Sequence, residues 1–102
     1  MIDLQVLRTD PDRVRISQTR RGEAPELVDA AVAADRAHRT ALTTFEQMRA
    51  EQKDLGRQVA KAGPDERPAL LARTKELSAQ VKTAEAEVRQ TEAALHDAVA
   101  VL

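Results

Sequence analysis

The chain has 102 residues, 32% of them charged, a formal net charge of −1 and one aromatic side chain, Phe45. That length bounds it at one domain, and the shortage of large side chains argues against a compact globule with a thick core. Ala, Leu, Glu, Arg, Gln and Lys dominate, the mix of long helices and coiled coils, where a narrow apolar seam suffices.

In chain order, residues 1–25 form a base segment. It holds a short alternating stretch (Ile2, Leu4) and then a short helix, with Asp10 as N-cap, Pro11 at the first helical position and Gly22 as the stop. Residues 26–61 carry a helical pattern with no proline. Ala62-Gly63-Pro64-Asp65 interrupts it, which places a tip turn over 62–67, with Gly63 as the helix C-cap. A second long helix follows over 68–102, with Pro68 tolerated in its first turn.

Both long segments carry a heptad ladder. In the first it runs through Leu27, Ala31, Ala34, His38, Ala41, Phe45, Met48, Gln52, Leu55 and Val59, with alternating steps of four and three residues. In the second it runs through Leu70, Thr74, Leu77, Val81, Ala84, Val88, Thr91, Leu95, Ala98 and Leu102. Eight of ten positions are apolar in each, which decides for a coiled-coil seam. Paired so that residue numbers sum to 129, the ladders mirror each other about the turn. Phe45 then meets Ala84, and the polar exceptions His38 and Thr91 fall together. The outermost row of the second helix is Ala72, Ala79, Ala86, Ala93 and Ala100, the best helix former where packing does not decide. The expected fold is therefore all-α: a long antiparallel two-helix coiled-coil hairpin with a short N-terminal helix at its base, roughly 50 Å long at about 1.5 Å per residue.

Catalytic chemistry finds no foothold. A two-helix hairpin encloses no pocket, Ser17 and Ser78 are isolated, and no nucleophile–base set can be named. Cysteine is absent, so no disulfide or thiolate site exists, which fits a reducing compartment. His38 and His96 share no ligand face in this register, and His38 reads as a seam residue rather than a metal ligand. No catalytic residue, metal site or cofactor site is expected within the segment. No apolar run approaches a membrane span of about 18–20 residues, and the first residues lack the blocks of a signal peptide. A cytoplasmic chain with no membrane partner is the expectation.

The charge is unevenly spread. Residues 49–82 hold eight Lys/Arg against five acids, a net of +3, whereas the remainder nets −4. One side of this stretch carries Arg49, Lys53, Lys75 and Lys82 with no acid between them; the other mixes Glu51, Asp54 and Glu76 with Lys61 and Arg73. Two readings are open: a solvated coiled-coil face with ordinary ion pairs, or a stripe that meets a phosphate backbone. With no aromatic free to stack on unpaired bases, a nucleic-acid partner would be a folded RNA read by backbone and shape. Gly56 weakens the first helix and either lets a partner approach closely or is incidental.

The opening Met1-Ile2-Asp3-Leu4, then Leu7-Arg8 and Asp10-Pro11-Asp12-Arg13-Val14-Arg15, resembles the N-terminus of bacterial seryl-tRNA synthetases. So does Arg21-Gly22 followed by Leu27-Val28-Asp29. Met48-Arg49-Ala50-Glu51-Gln52-Lys53-Asp54-Leu55 with Val59 is similar to that family's arm signature, although members often show Arg-Asn where Gln52-Lys53 stands. The resemblance covers the whole chain. It implies a tRNA-binding coiled-coil arm over 1–102 that clasps the long variable arm and elbow of serine tRNA, with selenocysteine tRNA as a further partner. The parent it implies is a cytoplasmic, homodimeric class II serine–tRNA ligase whose catalytic domain, lying outside these residues, uses ATP and magnesium; the isolated arm is expected to be a monomer. On that reading Arg49, Lys53, Lys75 and Lys82 contact phosphates, with Arg57, Lys61, Arg67 and Arg73 secondary. The rival is a structural coiled-coil module for protein interaction or oligomerisation, with Leu42 and Leu71 as its contact surface.

Overall fold

The computed structural model describes residues 3–102. Within them the chain is all-α: α1 (Leu4–Thr9), α2 (Pro11–Arg20), α3 (Glu26–Lys61) and α4 (Arg67–Ala100). Residues group into a terminal unit, up to Arg39 together with Gln90–Leu102, and a turn unit, Thr40–Arg89.

The turn unit is a helical hairpin, as the ladders require. Its core is Leu55, Leu77 and Val81, with Phe45, Met48 and Leu70 packed against them. Ala84 is buried at its place in the register. Gln52 Nε2 donates to Ser78 Oγ at 3.4 Å across the seam. The link between the helices differs from expectation in one respect. Gly63 does not take the left-handed conformation of a helix C-cap; among the described residues the only positive φ is that of Gly22. Instead the Gly63 carbonyl accepts from the backbone N–H of Glu66 at 3.2 Å and of Arg67 at 3.0 Å, and so opens α4.

In the terminal unit, His38 Nδ1 and Thr91 Oγ1 share a hydrogen bond at 3.2 Å, which sets the expected pairing of the two polar exceptions. None of the twenty ladder positions is exposed, and all five outer alanines of α4 are. The seam was therefore readable from spacing alone.

The base is richer than expected. In place of an alternating stretch, Leu4 begins a helix. Asp3 caps it, its side chain accepting from the Gln5 N–H at 2.8 Å; Ile2 lies outside the described residues. Asp10 caps α2 by accepting from the Arg13 N–H at 3.3 Å. Gly22, at φ 77°, ends α2. The N–H of Glu23 reaches the Gln18 carbonyl at 2.8 Å and that of Gly22 reaches Thr19 at 3.0 Å, the paired bonds of a Schellman stop. Leu7 and Val14 pack with Val28 and Ala31 of α3, joined by Val32, Ala98, Val99 and Leu102. Val28 and Val32 lie off the ladder. A helix with more than one neighbour buries a wider stripe than a coiled-coil seam.

An ion pair fixes this base. Arg8 Nε donates to Asp35 Oδ2 at 2.9 Å and Arg8 Nη2 to Oδ1 at 2.8 Å, a two-pronged contact. Asp35 is 2% exposed. The Arg8 hydrogen bonds hold its carboxyl below the usual carboxylate range, against the opposing effect of burial. A depressed pKa stabilises the fold above the unfolded value of about 4, and that contribution is lost as pH falls through the depressed value. Asp35→Asn is expected to cost about 2 kcal/mol at pH 7, short of the roughly 3–5 for a wholly buried pair because Arg8 keeps part of its hydration. Denaturant unfolding of wild type and variant at pH 7 and at pH 3 should show the gap narrowing in acid.

Candidate nucleic-acid interface

The turn unit carries all eight basic residues singled out by sequence. Because its helices run antiparallel, the residue that follows each seam position falls on one flank, and the residue that precedes it falls on the other. Between 49 and 82 the first flank reads Arg49, Lys53, Gly56, Ala60 on α3 and Leu71, Lys75, Ser78, Lys82 on α4, with no acid. The second carries Glu51, Asp54, Gln58, Arg73, Glu76 and Gln80.

Electrostatics separate the flanks further. On the first, Arg49, Lys53, Lys75 and Lys82 are all exposed. The Arg49 guanidinium stands 6.0 Å from the centroid of the Phe45 ring, a cation–π contact one helical turn apart that presses its stem to the seam. Lys53, Lys75 and Lys82 make no ion pair with any described residue. Their charge is open to a partner.

On the second flank the charges are satisfied internally. Arg73 Nη2 donates to Glu51 Oε1 at 2.7 Å, and Nη1 lies 3.6 Å from Glu76 Oε2. The Glu51 hydrogen bond comes first in holding the Arg73 guanidinium protonated above its usual range. Gln58 Nε2 donates to Asp54 Oδ2 at 2.9 Å. A shallow hollow here is lined by Met48, Ala79, Thr83, Glu76 and Glu87, carboxylates that repel phosphate. Arg73 is thus the least available of the eight basic residues. Arg57, Lys61 and Arg67 are exposed and make no ion pair with any described residue, but they stand off the acid-free row, at the outer edge and turn end of the hairpin.

Leu71, singled out by sequence as a residue flanking the seam, lies on the acid-free flank and is 49% exposed. Leu42, its companion in the rival reading, is half-buried.

Among the described residues no three His, Cys, Asp or Glu side chains converge to hold a metal, and none of their helices is long and apolar enough to cross a membrane.

The chain is similar to the serine–tRNA ligase of Acidothermus cellulolyticus, 58% identical over 99 residues, which are 97% of this chain and 24% of the relative. The serine–tRNA ligase of Mycobacterium avium is 57% identical over 94 residues, 92% of this chain and 22% of the relative. That of Mycolicibacterium smegmatis is 55% identical, over 97% of this chain and 24% of the relative. The chain therefore spans about a quarter of the length of the relatives it matches. The model of the seryl-tRNA synthetase N-terminal domain matches residues 1–102, and the chain belongs to that family.

Proposed function

We propose that this chain is the tRNA-binding arm of a serine–tRNA ligase. The observation that carries the reading is the acid-free flank of the turn unit, whose lysines Lys53, Lys75 and Lys82 are exposed and unpaired. Arg49 joins them, and Arg57, Lys61 and Arg67 give further contacts. Arg73 contributes by neutralising Glu51 and Glu76 rather than by touching RNA.

The partner is serine tRNA, with selenocysteine tRNA as a second. A rigid helical hairpin edged with cations suits a duplex backbone, and here it clasps the long variable arm and elbow. Contacts to phosphates position an RNA without reading bases. The acceptor end is thereby delivered to a catalytic domain in the longer parent, a cytoplasmic homodimer that uses ATP and magnesium to attach serine. The names and identities of the relatives support this reading.

Binding of a serine tRNA transcript, measured across salt concentrations, tests it. Lys53→Gln or Lys82→Gln should each flatten the log–log salt slope by about one unit. An unchanged slope removes that lysine from the interface. The rival reading, a protein-interaction coiled coil, would use the exposed Leu71 as its contact. It predicts a stable dimer or tetramer in sedimentation and no affinity for RNA.

A further inference from the structure

We propose that Gly56, with Leu71 across the seam, is the point at which the sugar–phosphate backbone of a double-helical RNA approaches this chain most closely, the ribose face lying on bare helix backbone. The proposal rests on the RNA-binding reading above and deepens it.

A glycine inside a helix is destabilising, so its presence calls for a reason. Gly22 has one, a left-handed φ of 77°. Gly63 sits in the turn between α3 and α4. Gly56 lies in the interior of α3, its φ is not positive, and a Cβ built there would meet nothing within 4 Å. Neither backbone conformation nor packing within the chain requires glycine at this position. What its missing side chain provides is access to the helix backbone from outside.

Leu71 makes the same point in reverse. It is a large apolar side chain, 49% exposed, that the hairpin's own core leaves unburied. Both residues lie on the acid-free flank. Their neighbours on that flank are Lys53 and Lys75, both exposed and without an ion pair to any described residue. A protein helix would bring an apolar stripe and find one leucine among unpaired cations. A polyanion finds its charges matched, and the sugars between its phosphates offer C–H faces to Leu71 and to the open backbone of Gly56. Duplex RNA shows riboses along a wide, shallow groove. Unpaired bases would need aromatic platforms, and the one aromatic side chain, Phe45, packs against the seam cluster.

The test uses the chain with Gly56→Ala, Gly56→Leu and, as a control on the outer alanine row, Ala86→Leu, each assayed for thermal unfolding, for sedimentation and for binding of a serine tRNA transcript. Gly56→Ala should raise the melting temperature yet weaken binding by about threefold, and Gly56→Leu should weaken it by about tenfold, as overfilling of a close contact does. The salt slope should stay that of wild type in both, since no charge changes. Ala86→Leu should bind as wild type does. If Gly56→Leu binds RNA like Ala86→Leu while wild type binds well, this proposal is overturned and the RNA reading survives. If wild type shows no RNA affinity, both fall. Altered self-association of Gly56→Leu with RNA binding intact would make the face a protein contact and overturn the proposal as well.

Discussion

Leu77→Ala is expected to destabilise the chain by about 3 kcal/mol, the largest single-residue loss in the turn unit. Leu77 is 0% exposed and lies in one cluster with Leu55 and Val81. Truncation removes the transfer free energy of the lost methyl groups and leaves a void between two helices that have little else to close it. A hairpin two helices thick lets water reach that void, which holds the loss below the top of the roughly 2–5 kcal/mol range for core truncations. Leu77→Met keeps the volume and should cost less than about 1.5 kcal/mol. Leu71→Ala, at a side chain 49% exposed, should stay within about 0.5 kcal/mol. Urea unfolding followed by helix ellipticity measures all three. Equal losses at Leu77 and Leu71 would contradict the seam assignment.

Neutralising Lys53, Lys75 and Lys82 together should lower affinity for serine tRNA by about 100-fold at 0.15 M salt and flatten the salt slope by roughly two to three units. Each lysine that meets a phosphate releases counterion, and that release sets both the slope and most of the affinity. The three side chains are exposed and unpaired, so their loss should leave helix content and unfolding midpoint near wild type. Arg73→Gln is the contrasting variant: its guanidinium is occupied by Glu51 and Glu76, so the slope should hold. A triple variant that binds as well as wild type would remove the flank from the RNA interface.

The hairpin was legible in the sequence because a two-stranded seam is a local pattern. Spacing alone identifies which residues of a helix share a face, and the mirrored ladders supply the register, which His38 and Thr91 keep. The acid-free row was legible for the same reason, since a flank is the seam shifted by one residue. Less could be read at the base. Helix α1 depends on the Asp3 cap and on burial of Leu7 against Val14 and Val28, and a six-residue helix has too weak a local preference to announce itself.

The amino-acid sequence by itself determined the seam, its pairing, the end of α2 at Gly22 and the row of cations, all of which follow from helical periodicity and backbone chemistry. Only the tertiary structure decided which charges remain free. It joined Arg73 to Glu51 across the seam, clamped Asp35 with Arg8 from a separate helix, and left Lys53, Lys75 and Lys82 without an ion-pair partner among the described residues. An ion pair depends on where two flexible side chains from distant parts of the chain come to rest. No spacing along one helix encodes that.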